Sequence, residues 1–215
     1  MFHDHRHAGE QLAALLATYR AQPQTIVLAL PRGGVPVGAA VARELQLPLD
    51  ILAVRKLGAP TQPEYAIGAI AGEGVLVLND RAIATMNVSR EAIDEAVARE
   101  REELRRRERL YRGNRPPLAL AGWTTILTDD GLATGYTMLA AIRAIREQRP
   151  LKIVVAVPVA PPSTLKRLAA EADEIVCAHT TEDLFAVGQF YRDFSQVTDE
   201  EVQTALHETT LEDTQ

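Results

Sequence analysis

The chain has a single cysteine, no excess of positive charge and no long apolar run, and each shortage removes a class of protein. One cysteine, Cys177, in 215 residues excludes an internal disulfide and any cysteine-based zinc cluster. Lysine and arginine number 23 against 29 aspartate and glutamate, and the resulting net charge of −6 argues against a non-specific nucleic-acid binder. No apolar run reaches the roughly 18 residues that a membrane-spanning helix needs. The opening Met1-Phe2-His3-Asp4-His5-Arg6-His7 lacks the apolar stretch of a signal peptide, so a cytoplasmic location is expected. What is present is ordinary globular material, 47% hydrophobic and 24% charged, long enough to bury a core without covalent staples.

Short apolar runs rich in β-branched residues recur along the chain, at 25–30, 50–54, 75–78, 124–128, 152–157 and 174–177. Most lack polar alternation, as expected of parallel strands covered on both faces. Segments 37–45, 136–147 and 163–171 between them read as helices, so the class is α/β with a central parallel sheet flanked by helices. Ser89 caps a charge-dense helix running to Tyr111, with Glu95/Arg99, Glu102/Arg106 and Glu103/Arg107 as i,i+4 pairs. Residues 10–20 form a further helix, and residues 184–194 gather four of the nine Phe and Tyr side chains. The division expected is one domain over 1–205, followed by a polar tail over 206–215.

The segment that carries chemistry is Thr124-Thr125-Ile126-Leu127-Thr128-Asp129-Asp130-Gly131-Leu132-Ala133-Thr134-Gly135-Tyr136-Thr137. A buried strand runs into two carboxylates, then a glycine- and threonine-bearing loop, then a helix. The carboxyl end of a parallel strand is where open α/β sheets bind ligands. Backbone amides of such a loop, with a helix N-terminus behind them, suit a phosphate dianion. Ionised Asp129 and Asp130 only accept, which suits vicinal sugar hydroxyls, met directly or through Mg²⁺. A sugar phosphate satisfies both halves.

Residues 129–137 closely resemble the phosphoribosyl-pyrophosphate (PRPP) motif of type I phosphoribosyltransferases. Leu30-Pro31-Arg32-Gly33-Gly34, a cationic glycine loop after the first strand, resembles that family's pyrophosphate loop. Arg55 and Lys56 leave the second strand into a stretch marked by Gly58, Pro60 and Pro63, similar to its mobile catalytic loop. The opening residues 2–16 and closing residues 186–197 resemble a subgroup of bacterial phosphoribosyltransferase-domain proteins of uncertain substrate. The resemblance implies the three-layer type I fold, with a core over about 25–180 and a small hood from about 1–24 and 181–205. It implies PRPP held by Asp129, Asp130, Gly131, Leu132, Ala133, Thr134, Gly135, Tyr136 and Thr137. Pyrophosphate would lie on Arg32, Gly33, Arg55 and Lys56, with Asp129, Asp130, Arg55 and Lys56 catalytic. Mg²⁺ would be held at Asp129 and Asp130.

The implied partners are PRPP and a small planar nitrogen acceptor, with no nucleic acid or membrane, in a chain whose family often forms homodimers. Phe185, Phe190 and Tyr191 either stack on the acceptor or form the hood's own core. In the 6-oxopurine enzymes an aspartate precedes the Thr-Gly of this loop; here the position is Ala133, which puts hypoxanthine or guanine salvage in doubt. A PRPP- or nucleotide-sensing protein without turnover is the alternative from another class. His3, His5 and His7 are expected to face solvent, and His179 and Cys177 to be structural. Residues 157–162, rich in proline, read as a strand-to-helix connection or a wall of the acceptor pocket.

Overall fold

The structure, a computed structural model, describes residues 1–72, 74–113 and 115–212. Helix α1 (His5–Leu15) starts five residues earlier than the apolar pattern predicts. Asp4 provides the reason: its Oδ1 accepts the His7 amide at 2.8 Å and caps the helix. Strand β1 (Thr25–Ala29) leads through the Arg-Gly-Gly turn into α2 (Gly34–Leu45), which returns to β2 (Leu49–Ile51). Strands β3 (Val54–Ala59), β4 (Gln62–Ala71) and β5 (Val75–Leu78) follow. Next come α3 (Asp80–Thr85) and α4 (Arg90–Arg112), the latter capped by Ser89 as its sequence predicts. The second half is β6 (Thr124–Thr128), α5 (Tyr136–Glu147), β7 (Lys152–Ala160), α6 (Pro162–Leu168), β8 (Glu174–Thr180) and α7 (Asp199–Glu212).

The main sheet is five-stranded and parallel, in the order β2-β1-β6-β7-β8. Its side chains divide by face as the period of two requires. Val27, Ala29, Ile126 and Val154 join α1, α2, α4 and α7 in one buried cluster. Leu28, Leu127, Ile153 and Val155 join α5 and α6 in the other. The order reverses between β1 and β6, and the two loops singled out by sequence leave the carboxyl ends of those two strands.

Three expectations are corrected. Residues 55–68, read as a long irregular loop, form the β3–β4 hairpin of a separate antiparallel sheet, with Pro60 in its turn and register shifts at Gly58. Val75–Leu78 joins that same sheet, antiparallel to β4, not the parallel one. The polar tail does not begin at 206: α7 continues to Glu212, because Val202 and Leu206 are buried on the main core. The rest of the expected tail, residues 213–215, lies outside the described residues.

The two ends of the sequence meet over the sheet. Phe2 bridges Tyr191 in parallel, the Phe2 amide donates to the Phe190 carbonyl at 2.8 Å, and the Arg192 amide donates back to the Phe2 carbonyl at 3.0 Å. Phe2, Ala8 and Tyr191 make a third, small cluster above the loops.

Candidate functional site: two loops at the strand-order reversal

The fully buried strand β6 delivers Asp129 and Asp130 side by side at its end. Asp129 Oδ1 accepts the Asp130 amide at 2.9 Å. Burial, and then the adjacent Asp130 carboxylate, push the Asp129 carboxyl well above the ordinary value of 3.8. A hydroxyl donor or a cation at this position would reverse that penalty. Beyond the pair, Ala133 and Thr134 are exposed and Gly135 takes a left-handed φ of 70° before α5 begins. A Cβ at Gly135 would meet Thr164 Cγ2 at 2.6 Å, so both conformation and space require glycine. The amides of Thr134, Gly135, Tyr136 and Thr137 donate to no acceptor among the described residues. That is a row of donors at a helix N-terminus, an arrangement that can receive an anion.

The second loop packs directly against the first. A Cβ at Gly33 would lie 1.8 Å from Asp130 Oδ2, so the absence of a side chain is what lets the two loops close on each other. The Pro31–Arg32 peptide is cis. Arg32 Nη1 lies 3.7 Å from Asp199 Oδ1, at the start of α7. Asp199 Oδ1 also accepts the Tyr111 hydroxyl at 2.5 Å, and burial together with this bond pushes Tyr111 up to about 12.

Arg55 and Lys56 are placed elsewhere. Arg55 is paired with Glu100 of α4 at 2.8 Å. Both residues, with Lys56 and Arg99, line a cavity of about 600 Å³ between the hairpin and α4. Arg32, Asp129 and Asp130 do not line it, so the structure brings together Asp129, Asp130, Arg32 and Gly33 but not the hairpin cations.

The hood supplies the residue that the sequence reading missed. His5 is buried, not exposed, with Nε2 3.8 Å from Asp130 Oδ2. Its ring stacks on Phe194 at 5.0 Å and lies 5.2 Å from Tyr191. The only available signal was its place within the first turn after a capping Asp. Tyr191 is buried and donates its hydroxyl to the Asp130 carbonyl at 2.6 Å; burial and the two aspartates raise its pKa. Phe190 lies against His179, with ring centroids 5.3 Å apart. Phe185 is 92% exposed. Among the described residues no three His, Cys, Asp or Glu side chains form a metal cluster, and no helix is long and apolar enough to cross a membrane.

Two loops from neighbouring parallel strands, one offering amides and carboxylates and the other an arginine, meet at the carboxyl edge of an open α/β sheet. The phosphoribosyl transferase domain model matches residues 1–194, and the chain belongs to that family. Two Mycobacterium tuberculosis proteins, provisionally named phosphoribosyl transferases, are each 46% identical over 202 residues. That alignment takes in 94% of this chain but 45% of theirs, so the chain spans about half the length of these curated relatives. The crystal structure of the protein TT1426 from Thermus thermophilus is 44% identical, with a TM-score of 0.79 over 97% of this chain and 98% of that one. A hypoxanthine-guanine phosphoribosyltransferase from Bacillus anthracis superposes with a TM-score of 0.51 at 11% identity, over 88% of this chain and 89% of its own. That likeness is one of fold, and the fold is the type I phosphoribosyltransferase fold.

Proposed function

We propose that the chain transfers 5-phosphoribosyl from PRPP to a nitrogen acceptor, a nucleobase or similar planar molecule, with release of pyrophosphate. The observation that supports this reading is the close approach of Gly33 to Asp130, which packs the loop bearing Arg32 against the loop bearing the carboxylate pair. The 5-phosphate takes the free amides of residues 134–137, and Asp129 and Asp130 accept the ribose hydroxyls. Arg32 and the Gly33 backbone meet the pyrophosphate. Arg55 and Lys56 belong to the same reading as neutralising cations, and Arg55 must leave Glu100 to act there. The acceptor nitrogen attacks C1, and the C1–oxygen bond breaks with its electrons leaving on pyrophosphate. Positioning and charge neutralisation supply most of the acceleration.

Two adjacent carboxylates without a third protein ligand fit Mg²⁺, which commonly takes one or two carboxylates and completes its shell with substrate oxygens and water. Bound there, it would supply positive charge to the leaving group. A second reading is favoured by one observation. Arg32 and Arg55 already have carboxylate partners, as suits a PRPP- or nucleotide-sensing protein that binds without turnover. Pyrophosphate release from PRPP and Mg²⁺ across a panel of bases separates the two. Release with one acceptor supports the transferase; tight PRPP binding with none supports the sensor. In either case Asp129→Asn with Asp130→Asn abolishes PRPP binding in calorimetry, and unchanged affinity refutes the site.

A further inference from the structure

We infer that Thr164 and Arg167 of α6 are positioning residues for the phosphate cradle, aiming its amides at a phosphomonoester. The inference rests on the reading of residues 134–137 as the site of the 5-phosphate. Three contacts tie α6 to the loop ahead of α5. Thr164 Oγ1 donates to the Ala133 carbonyl at 2.7 Å. Arg167 Nη2 donates to the Thr134 carbonyl, and the same guanidinium lies 4.8 Å over the centre of the Tyr136 ring. Arg167 Nε is buried and has no hydrogen-bond partner among the described residues.

In a trans peptide the C=O and N–H point in opposite directions. The peptides on either side of Thr134 are trans. Holding the Ala133 carbonyl on Thr164 therefore turns the Thr134 amide away from α6. Holding the Thr134 carbonyl on Arg167 does the same for the Gly135 amide. Both amides are without acceptors among the described residues. A loop fixed in this way presents its donors before the ligand arrives and needs no rearrangement when it binds. Arg167 also places a positive charge behind the loop, on its α6 side, and its stacking on Tyr136 holds that charge in place.

Calorimetry with ribose 5-phosphate and, separately, inorganic pyrophosphate tests this. Arg167→Met should weaken ribose 5-phosphate by about tenfold or more, the scale of a charge-assisted hydrogen bond, and leave pyrophosphate unchanged. Arg167→Lys should recover part of the loss. Thr164→Val, which keeps the methyl group against Gly135, should cost about fivefold. The Arg167→Met deficit should grow as pH rises through about 6, where a phosphomonoester takes its second charge. Equal ribose 5-phosphate affinity in Arg167→Met and wild type overturns the inference, as does an equal loss for both ligands, which marks general damage. If the two Asn substitutions at 129 and 130 abolish binding while Arg167→Met does not, only the role of α6 falls. Failure of the wild type to bind ribose 5-phosphate or PRPP brings down the underlying reading as well.

Discussion

At the scale of single residues, the carboxylate pair divides its labour by environment. Asp129 is turned inward, with its Oδ1 tied to the next amide, while Asp130 faces Gly33 and His5. The cost of keeping Asp129 ionised falls on the unliganded protein. Its folded pKa lies above the ordinary 3.8, so the folded state binds the proton more tightly than the unfolded chain does. Stability from this group is present at acid pH below the ordinary value and is lost as pH rises through the folded value. Asp129→Asn should therefore raise the urea midpoint of the unliganded protein at neutral pH. The advantage over wild type should shrink toward pH 4, so parallel midpoint-against-pH curves would contradict it. A site residue whose removal stabilises the fold is the expected signature of a group kept for its ligand.

Among the elements, α4 shows how differently two ion pairs on one helix weigh. Near its C-terminus Arg112 is buried and forks onto Asp50 of β2 at 3.0 Å, donating also to the Pro116 carbonyl. Nearer the middle of the helix, Glu103 takes Arg106 and Arg107 close to the surface, and their bonds lower it to about 2. Arg112→Met strips a buried carboxylate of its main compensating charge and should cost about 3 kcal/mol. Glu103→Gln should cost less than about 1 kcal/mol, since pairs of this kind are largely screened. Denaturant titration at neutral pH reads both. The sequence made α4 legible because Ser89 and the apolar stripe agree; of its expected charge pairs Glu103/Arg107 is formed, while Arg106 turns to Glu103 and Arg99 to Glu100. It also made β6 and α5 legible, because an unbroken apolar strand ends on a distinctive acidic and glycine-bearing loop. The β3–β4 hairpin was hidden for a physical reason. Gly58 sits at a register shift and Pro60 in the turn, so the breakers that mark a loop here accommodate a bulge. The small residues Ala66, Gly68, Ala69 and Ala71 gave β4 little strand signal. His5 was illegible because its burial depends on Tyr191 and Phe194, which no local pattern connects to it.

Over the whole molecule, residues far apart in sequence share one site. Arg32 follows the first strand and Asp199 opens the last helix, where Thr198 and Glu201 form a reciprocal cap. If Arg32 receives pyrophosphate, Asp199 competes with it. Asp199→Asn should then tighten pyrophosphate binding by about two- to fivefold, the reach of a partly exposed charge pair, and calorimetry showing weaker binding would reverse the assignment. The family fold was readable from three short motifs, and the resemblance implied a hood from the two ends, but the backbone pairing of residues 190–193 with Phe2 and His3 had no local signal.

That pairing has a consequence in time. Tyr191, whose hydroxyl props the Asp130 carbonyl, stands 54 positions after Thr137 (191 − 137). At synthesis rates of about 5–20 residues per second, a ribosome takes roughly three to eleven seconds to supply it. For those seconds the nascent chain holds the residues of both loops without the aromatic ring that completes the cluster of Phe2 and Ala8, and that apolar surface has no partner until Tyr191 arrives.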